Sequence, residues 1–282
     1  MNKNKKNVVV IALLMFVAYA TDCEGQNPPR GAAKGVFSIS STQKVYFASG
    51  NLQYQPSTCQ WRFAANPWDY VGTQIPDHGG RFGGTVGGSD NSKISPTYNG
   101  WIDLYGWGTG NDPTKISATL DNRYSQFVDW GSKYGGGWRT LTQNEWRYLS
   151  EKRNTKSGMR YAKAIVNGVR GMILLPDDWD KSIYELCNTN NYWAGYEDNN
   201  ISSSTWNLKF DSAGAVFLPA AGARGFGSSV GGAGSAGYYW TATPYDTEEA
   251  GCIQFQGKLI FVINWSFRCF GYSVRLVHAV EN

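Results

Sequence analysis

Histidine is almost missing from this chain: His78 and His278 are the only two among 282 residues. With so few imidazoles, and no C-x-x-C among the five cysteines, a structural zinc site has no ligand set to draw on. Cys23, Cys59, Cys187, Cys252 and Cys269 are too few and too scattered to staple a scaffold of this length by disulfides. Charged residues make up only 17% of the chain, so long charged helices are not expected. No apolar run reaches the roughly 20 residues that a spanning helix needs, which argues against a multi-pass membrane protein. A fixed-period repeat is missing too.

What is present divides into an export signal and a domain. Lys3, Lys5 and Lys6 precede the apolar residues 8–18, and Ala18-Tyr19-Ala20 supplies an A-x-A site. That order is the pattern of a secretory signal peptide over residues 1–20. Removing it takes the net charge from +4 to near neutrality, with 23 basic residues against 22 acidic ones. Little electrostatic attraction for nucleic acid or anionic lipid then remains. Processing at Cys23 is the alternative and would leave a lipid anchor there, although Asp22 suits such a cleavage poorly. Residues 21–34, with Pro28-Pro29, read as a linker.

Residues 35–282 read as one α+β domain. An aromatic content of 15% with 34 glycines and 12 tryptophans implies a packed core, tight turns and short strands. Strand-like runs occur around Val36, Val45, Leu52 and Trp61, at 160–166, 171–175 and 215–218, and again over 238–242, 252–255, 259–263 and 273–277. Asn167-Gly168 is a hairpin turn between two of them. Two helices are expected. One starts at Thr142 with Glu145 three residues on, a capping box, and presents an exposed basic face ending near Arg153. The weaker one covers residues 126–133. Residues 72–100, rich in Gly-Gly pairs, form a long loop.

Catalytic and metal motifs are thin. Gly227-Ser228-Ser229-Val230-Gly231 matches G-x-S-x-G, but no helical pattern follows it and no histidine lies near in sequence, so it reads as a Gly-Ser loop. The same stretch lacks the Lys and helix of a phosphate loop. Asp177-Asp178-Trp179-Asp180 and Glu197-Asp198-Asn199-Asn200 could gather oxygens for Ca²⁺, without EF-hand spacing, and read first as solvated turns. A glycosidase pair would have to be assembled from Glu145 with Asp246 or Glu248, and nothing in the sequence selects it. Tryptophans 101, 107 and 138 lie near glycines, where ring packing is the default and sugar stacking the alternative.

Residues 252–272, CIQFQGKLIFVINWSFRCFGY, break the expected alternation. A strand pair with one wet face alternates apolar and polar. Residues 252–256 roughly do so; residues 259–263 do not, and Trp265, Phe267, Cys269, Phe270 and Tyr272 follow closely. Ile253 and Phe255 facing the core would turn the rest outward, as an aromatic surface suited to recognition. The plainer alternative is a strand pair buried on both faces.

Several segments together resemble a known group. GWRTLTQNEWRYL resembles the RLPTEAEWEYA helix of the formylglycine-generating-enzyme branch of C-type lectin-like folds, and GYSVRLV resembles that group's closing GFRLV strand. VYFASGNLQYQPSTCQWRFA, RYAKAIVNGVRGMILLPDDW, AVFLPAAGAR and GYYWTATPYD are similar to secreted bacterial paralogues with this fold. The resemblance covers about residues 36–278 and implies a C-type lectin-like fold. Enzyme function does not follow from it. That branch binds copper through two cysteines a few residues apart, whereas Cys252 and Cys269 are separated by 17. The Ca²⁺-dependent sugar motifs of animal C-type lectins are absent as well.

The nearest resemblance is to variable proteins of diversity-generating retroelements, in which such a fold displays a C-terminal segment randomised at template adenines. Paralogues carry Tyr, Asn and Ser where this chain has Cys252, Gln254, Phe261, Ile263, Phe267, Cys269 and Phe270, residues that mutated AAY codons reach. Trp265 departs, because those codons cannot yield Trp. The resemblance implies an exported surface protein that binds a protein or glycan on another cell or a host. Its face would comprise Cys252, Gln254, Phe261, Ile263, Trp265, Phe267, Cys269, Phe270 and Tyr272, without cofactor, metal or catalytic residue. Two rivals remain: a carbohydrate-processing enzyme using the Trp101 to Trp107 loops, and a structural or fimbrial subunit whose aromatic surface is a joint.

Overall fold

The computed structural model describes residues 27–72, 90–119, 124 and 126–281. The export run, Cys23, residues 21–26 of the linker, and residues 73–89 of the Gly-rich loop, with His78, lie outside the described residues. No described helix is long and apolar enough to cross a membrane.

The chain opens with β1 (Ala32–Ser38), β2 (Lys44–Ala48), β3 (Leu52–Gln55) and β4 (Gln60–Phe63). Then come α1 (Trp130–Tyr134), β5 (Trp138–Thr140) and α2 (Gln143–Arg147), the last continuing as a π turn over Tyr148–Lys152. The antiparallel pair β6 (Tyr161–Val166) and β7 (Val169–Leu174) is followed by β8 (Asn200–Ile201) and by a helical turn α3 (Ser203–Thr205), extended over Trp206–Asp211. Last are β9 (Val216–Pro219), β10 (Ala221–Arg224), β11 (Val230–Ala233), β12 (Ala236–Pro244), β13 (Glu249–Gln256), β14 (Leu259–Phe267) and β15 (Leu276–Ala279). The architecture is α+β: short strands in small sheets with short helices.

Among the described residues the strands form four sheets, in the orders β1-β2-β15-β5, β11-β10-β12-β13-β14, β8-β6-β7-β9 and the pair β3-β4. The closing strand β15 lies between β2 and β5, so the end of the chain is locked into the sheet that its beginning starts. The expected hairpin turn is present: Asn167 and Gly168 take φ of 49° and 81°, the left-handed pair that a two-residue turn requires. The expected closing strand shifts towards the C-terminus, because Ser273 bridges Tyr239 before β15 begins.

Helix α2 forms as the local code predicts. Thr142 Oγ1 accepts from the Glu145 amide at 3.3 Å, and Glu145 Oε2 accepts from the Thr142 amide at 2.7 Å. Trp146 and Leu149 then meet Phe47, Met172, Ile253 and Val262 in one core that reaches three sheets. A second core collects Tyr105, Trp107, Trp130, Trp138, Tyr238 and Trp240, and a third lies around Trp179, Trp206 and Phe210. Tryptophans 107, 130, 146, 179, 206 and 240 are therefore interior, each side chain adding about 1.5–3 kcal/mol or more by burial. The basic face expected near Arg153 is a misreading at its end: Arg153 is buried, because its guanidinium is drawn into a knot of carbonyls. Weak helix 126–133 shortens to α1, where Asp129 caps Gly131.

Asp103 is a buried carboxylate with no cation beside it among the described residues. Asp103 accepts from the Val71 amide (2.8 Å) and Asn91 Nδ2 (2.8 Å), while Asn91 Oδ1 accepts from the amides of Asp103 and Leu104. Burial pushes its pKa up from 3.8 to about 7, against the pull of the Asn91 and Val71 hydrogen bonds. Between about pH 4 and 7 the folded chain therefore holds a proton that the unfolded chain has released. Asp103's contribution to stability is full below that window and is lost as pH rises through it. Urea titrations should show Asp103→Asn losing less stability than the wild type between pH 5 and pH 8. Parallel pH profiles for the two proteins would refute this.

Candidate functional site

Strand β14 closes one edge of the five-stranded sheet and carries most of the irregular segment. Its register with β13 pairs Gln254 with Phe261 but Cys252 with Asn264, so β14 holds one extra residue there, a β-bulge. Before the bulge the alternation is clean. Ile260 and Val262 enter the α2 core, while Phe261 and Ile263 are 39% and 38% exposed. Beyond it, Trp265 and Phe267 are half-buried and each meets a further ring.

The nine residues expected to face outward thus separate. Phe261, Ile263, Trp265, Phe267 and Phe270 reach the surface. Cys252, Cys269 and Tyr272 do not: they are 0%, 2% and 2% exposed. Gln254 is nearly as closed, at 9%. For Cys252 and Gln254 the reason is that β13, paired along both edges with β12 and β14, also has a core packed against each face. Ile253 and Phe255 fill one core and Cys252 the other, so the two-sided burial considered for the pair is true of β13 alone. Burial also pushes the Cys252 thiol far up, which leaves it protonated and inert. Tyr272 bridges to the Tyr105 backbone and packs on Tyr238 and Trp240, at 4.9 and 4.4 Å between ring centroids.

Beneath the exposed row runs a hydrogen-bonded layer that fixes its backbone. Asn264 Nδ2 donates to Gln254 Oε1 at 2.6 Å, Gln254 Nε2 donates to the Tyr238 hydroxyl at 3.4 Å, and Ser266 shares a 2.6 Å bond with the Tyr272 hydroxyl. Gln254 is therefore a satisfied interior amide, not a contact group.

Three contributors were missed by sequence reasoning. Tyr245, 58% exposed, stacks on Trp265 at 4.3 Å. Phe226, 42% exposed, meets Phe270 edge-on at 4.9 Å and lies 5.9 Å from Phe267. A lone large ring in an otherwise Gly-Ser loop was the available signal. Arg268 is the third: it donates to the carbonyls of Glu249, Tyr124 and Asp246 and lies over Trp107, which holds the 245–249 turn and with it Tyr245. The result is two ring groups, Tyr245 with Trp265 and Phe226 with Phe267 and Phe270, while Phe261, paired with Gln254 across the bulge, is exposed on the other face of the sheet from Trp265, which pairs with Gly251.

The other candidates have structural partners. The G-x-S-x-G loop joins β10 to β11 with no helix after it. Asp177 accepts from Arg153 and Ser38; Glu197 pairs with Arg170, and Asp198 accepts from Asn188 and the Gly195 amide. Among the described residues no three His, Cys, Asp or Glu side chains converge as a metal set. Burial raises the Glu145 carboxyl, but hydrogen bonds from Arg139 at 2.6 and 2.9 Å and from Thr142 more than offset this, leaving it below its ordinary value. Asp246 is held low by the amides of Glu248 and Glu249.

A family model described as a domain of unknown function (DUF8237) matches residues 131–277, and the chain belongs to that family. No curated protein and no solved structure matches it.

Proposed function

We propose that this DUF8237 protein is an exported surface protein that binds a protein or glycan ligand through the outer row of β14, on a C-type lectin-like scaffold. The observation that carries the reading is the concentration of surface-reaching rings on and beside β14: Phe261 on the strand, Tyr245 stacked on Trp265, and Phe226 against Phe267 and Phe270. Large rings on a rigid backbone supply contact area while losing little freedom on binding. The segments quoted for the lectin-like resemblance behave as framework. The capping box is formed at Thr142, and Ser273 to Val277 are all buried.

Retroelement diversification is the finer part of the proposal. Change without unfolding is expected at the surface-reaching positions Phe261, Ile263, Phe267 and Phe270, whereas the buried Cys252 and Cys269 leave little room for larger side chains. Sequencing the codons of 252–272 and their flanks across a cell population tests it. A near-copy differing at adenines, beside a reverse transcriptase gene, is expected; a fixed segment without such a copy ends that part. The binding part is tested on glycan and cell-surface-protein arrays. Phe261→Ser with Phe267→Ser should weaken the captured ligand by about 10–100-fold, with the fold intact. Unchanged binding would refute it.

One observation favours a second reading. No strand among those described pairs with the outer edge of β14, so the edge could accept a strand from another subunit. Self-association that rises with concentration and is abolished by Phe261→Asp would favour a structural subunit.

A further inference from the structure

The turn that carries β12 into β13 runs Tyr245-Asp246-Thr247-Glu248-Glu249, a ring and three carboxylates in five residues. Its backbone is fixed. The Tyr245 amide donates to the Glu249 carbonyl at 3.0 Å, and Asp246 Oδ1 accepts from the amides of Glu248 and Glu249 at 2.8 and 2.7 Å.

The Tyr245 ring is braced from one side only. It stacks on Trp265 at 4.3 Å with 26° between the planes. Trp265 in turn lies close over a glycine, since a Cβ added at Gly251 would stand 3.2 Å from the indole. With one ring face used in that stack, Tyr245 is still 58% exposed. Glu249 pairs with Phe267 in the β13–β14 ladder and Gly251 with Trp265, so the Glu249 side chain shares a sheet face with both rings. Asp246 and Glu248 are exposed beside Tyr245.

The cation under this turn does not pair with its carboxylates. Arg268 is buried, and its Nε, Nη1 and Nη2 donate to the carbonyls of Glu249, Tyr124 and Asp246 while its plane lies over Trp107. Among the described residues no Lys or Arg forms an ion pair with Asp246, Glu248 or Glu249. An open ring face edged by unpaired carboxylates attracts a cation twice over. The face of the ring is the negative part of its quadrupole, and a planar guanidinium can lie on it while turning its N–H edge to a carboxylate. An anionic glycan would be repelled, and a neutral one would leave the carboxylates unused.

We infer that this surface takes a basic segment of a protein partner, with an arginine stacked on Tyr245 and paired with the carboxylates of the turn. The inference rests on the reading of the β14 rings as a binding surface and names the chemistry of the partner.

The test uses the purified exported chain and two immobilised peptides, acetyl-Gly-Arg-Leu-Arg-Leu-Gly-amide and the same peptide with citrulline for both arginines. At about 50 mM salt the arginine peptide should bind about fivefold or more tightly, and by about 500 mM that margin should shrink. Glu248→Gln with Glu249→Gln should remove the margin. Asp178→Asn with Asp211→Asn, which takes as much charge from exposed positions on other elements, should keep it. Tyr245→Leu should weaken the arginine peptide roughly threefold and the citrulline peptide less. Equal affinity for the two peptides, binding of neither, or equal losses in the two double variants would each overturn the inference. The broader reading is separable: if the arrays still capture a ligand that Phe261→Ser with Phe267→Ser weakens, the rings bind uncharged chemistry and only the basic partner is lost.

Discussion

Replacing Arg153 by Met is expected to lower the unfolding free energy by about 3–5 kcal/mol, a large share of the roughly 5–15 kcal/mol that holds a typical domain together. The side chain is fully buried and every nitrogen is engaged. Nε donates to the Leu149 carbonyl at 2.7 Å, Nη1 to Asp177 Oδ1 at 2.9 Å, and Nη2 to the carbonyls of Arg160 (3.0 Å) and Leu175 (2.6 Å). Those acceptors sit at the end of α2, the start of β6 and the end of β7. Asp177 also accepts from the Ser38 amide and hydroxyl, which adds β1. Burial lowers the guanidinium pKa to about 10, still charged at neutral pH. Methionine fills the space but takes a donor from four acceptors, of which the Arg160 carbonyl keeps the Leu175 amide and Asp177 keeps Ser38. Lysine should rescue little, since one ammonium cannot span a planar fork's directions. Urea denaturation at pH 7 measures the loss, and combining Arg153→Met with Asp177→Asn should prove less than additive. A deficit below about 1 kcal/mol would mean that the knot is dispensable.

That knot marks where the sequence stops being legible. Helix α2 could be read because a capping box is local: Thr142 and Glu145 are three residues apart and need no other element. The Asn167-Gly168 turn is legible for the same reason. Arg153 was read as exposed because its four acceptors are spread from residue 149 to 177, and only the packed sheets bring them together. The burial of Cys252 and Gln254 is a fact of the same kind. It depends on the cores that pack on both faces of β13, and a polar Gln looks outward until Asn264 and Tyr238 satisfy it. The turn α3 escaped notice because its apolar pair, Trp206 and Phe210, follows a serine-rich stretch that reads as loop. Phe261 and Ile263 were legible as outward once Ile253 and Phe255 were assigned to the core, while Phe226 and Tyr245 join the exposed rings only through tertiary folding.

Lys163→Met should destabilise the protein by about 2–3 kcal/mol and loosen the hairpin that carries the exposed row beyond this global loss. Lys163 is buried on β6, yet its ammonium donates to the carbonyls of Gly257 and Leu259, each at 2.8 Å, and of Gln256 at 3.4 Å. These belong to the turn between β13 and β14, so a charge from the neighbouring sheet caps the hairpin tip. The Tyr196 ring lies 4.9 Å below it. Removing the ammonium leaves these carbonyls without their donor, two to five residues from Phe261. Burial lowers the lysine pKa from 10.5 to about 8, with Glu197 and Asp198 opposing the shift. Across that window the unfolded chain holds a proton that the folded chain has released, so wild-type stability gains with rising pH. The methionine variant lacks this gain, and its deficit should widen from pH 8 to pH 10. Denaturant titrations at both values test the sign. Hydrogen exchange at pH 7 separates the local effect: protection should fall most in Leu259–Phe267. A uniform fall over the whole five-stranded sheet would leave Lys163 as general packing, and a pH-independent deficit would contradict the burial of its charge.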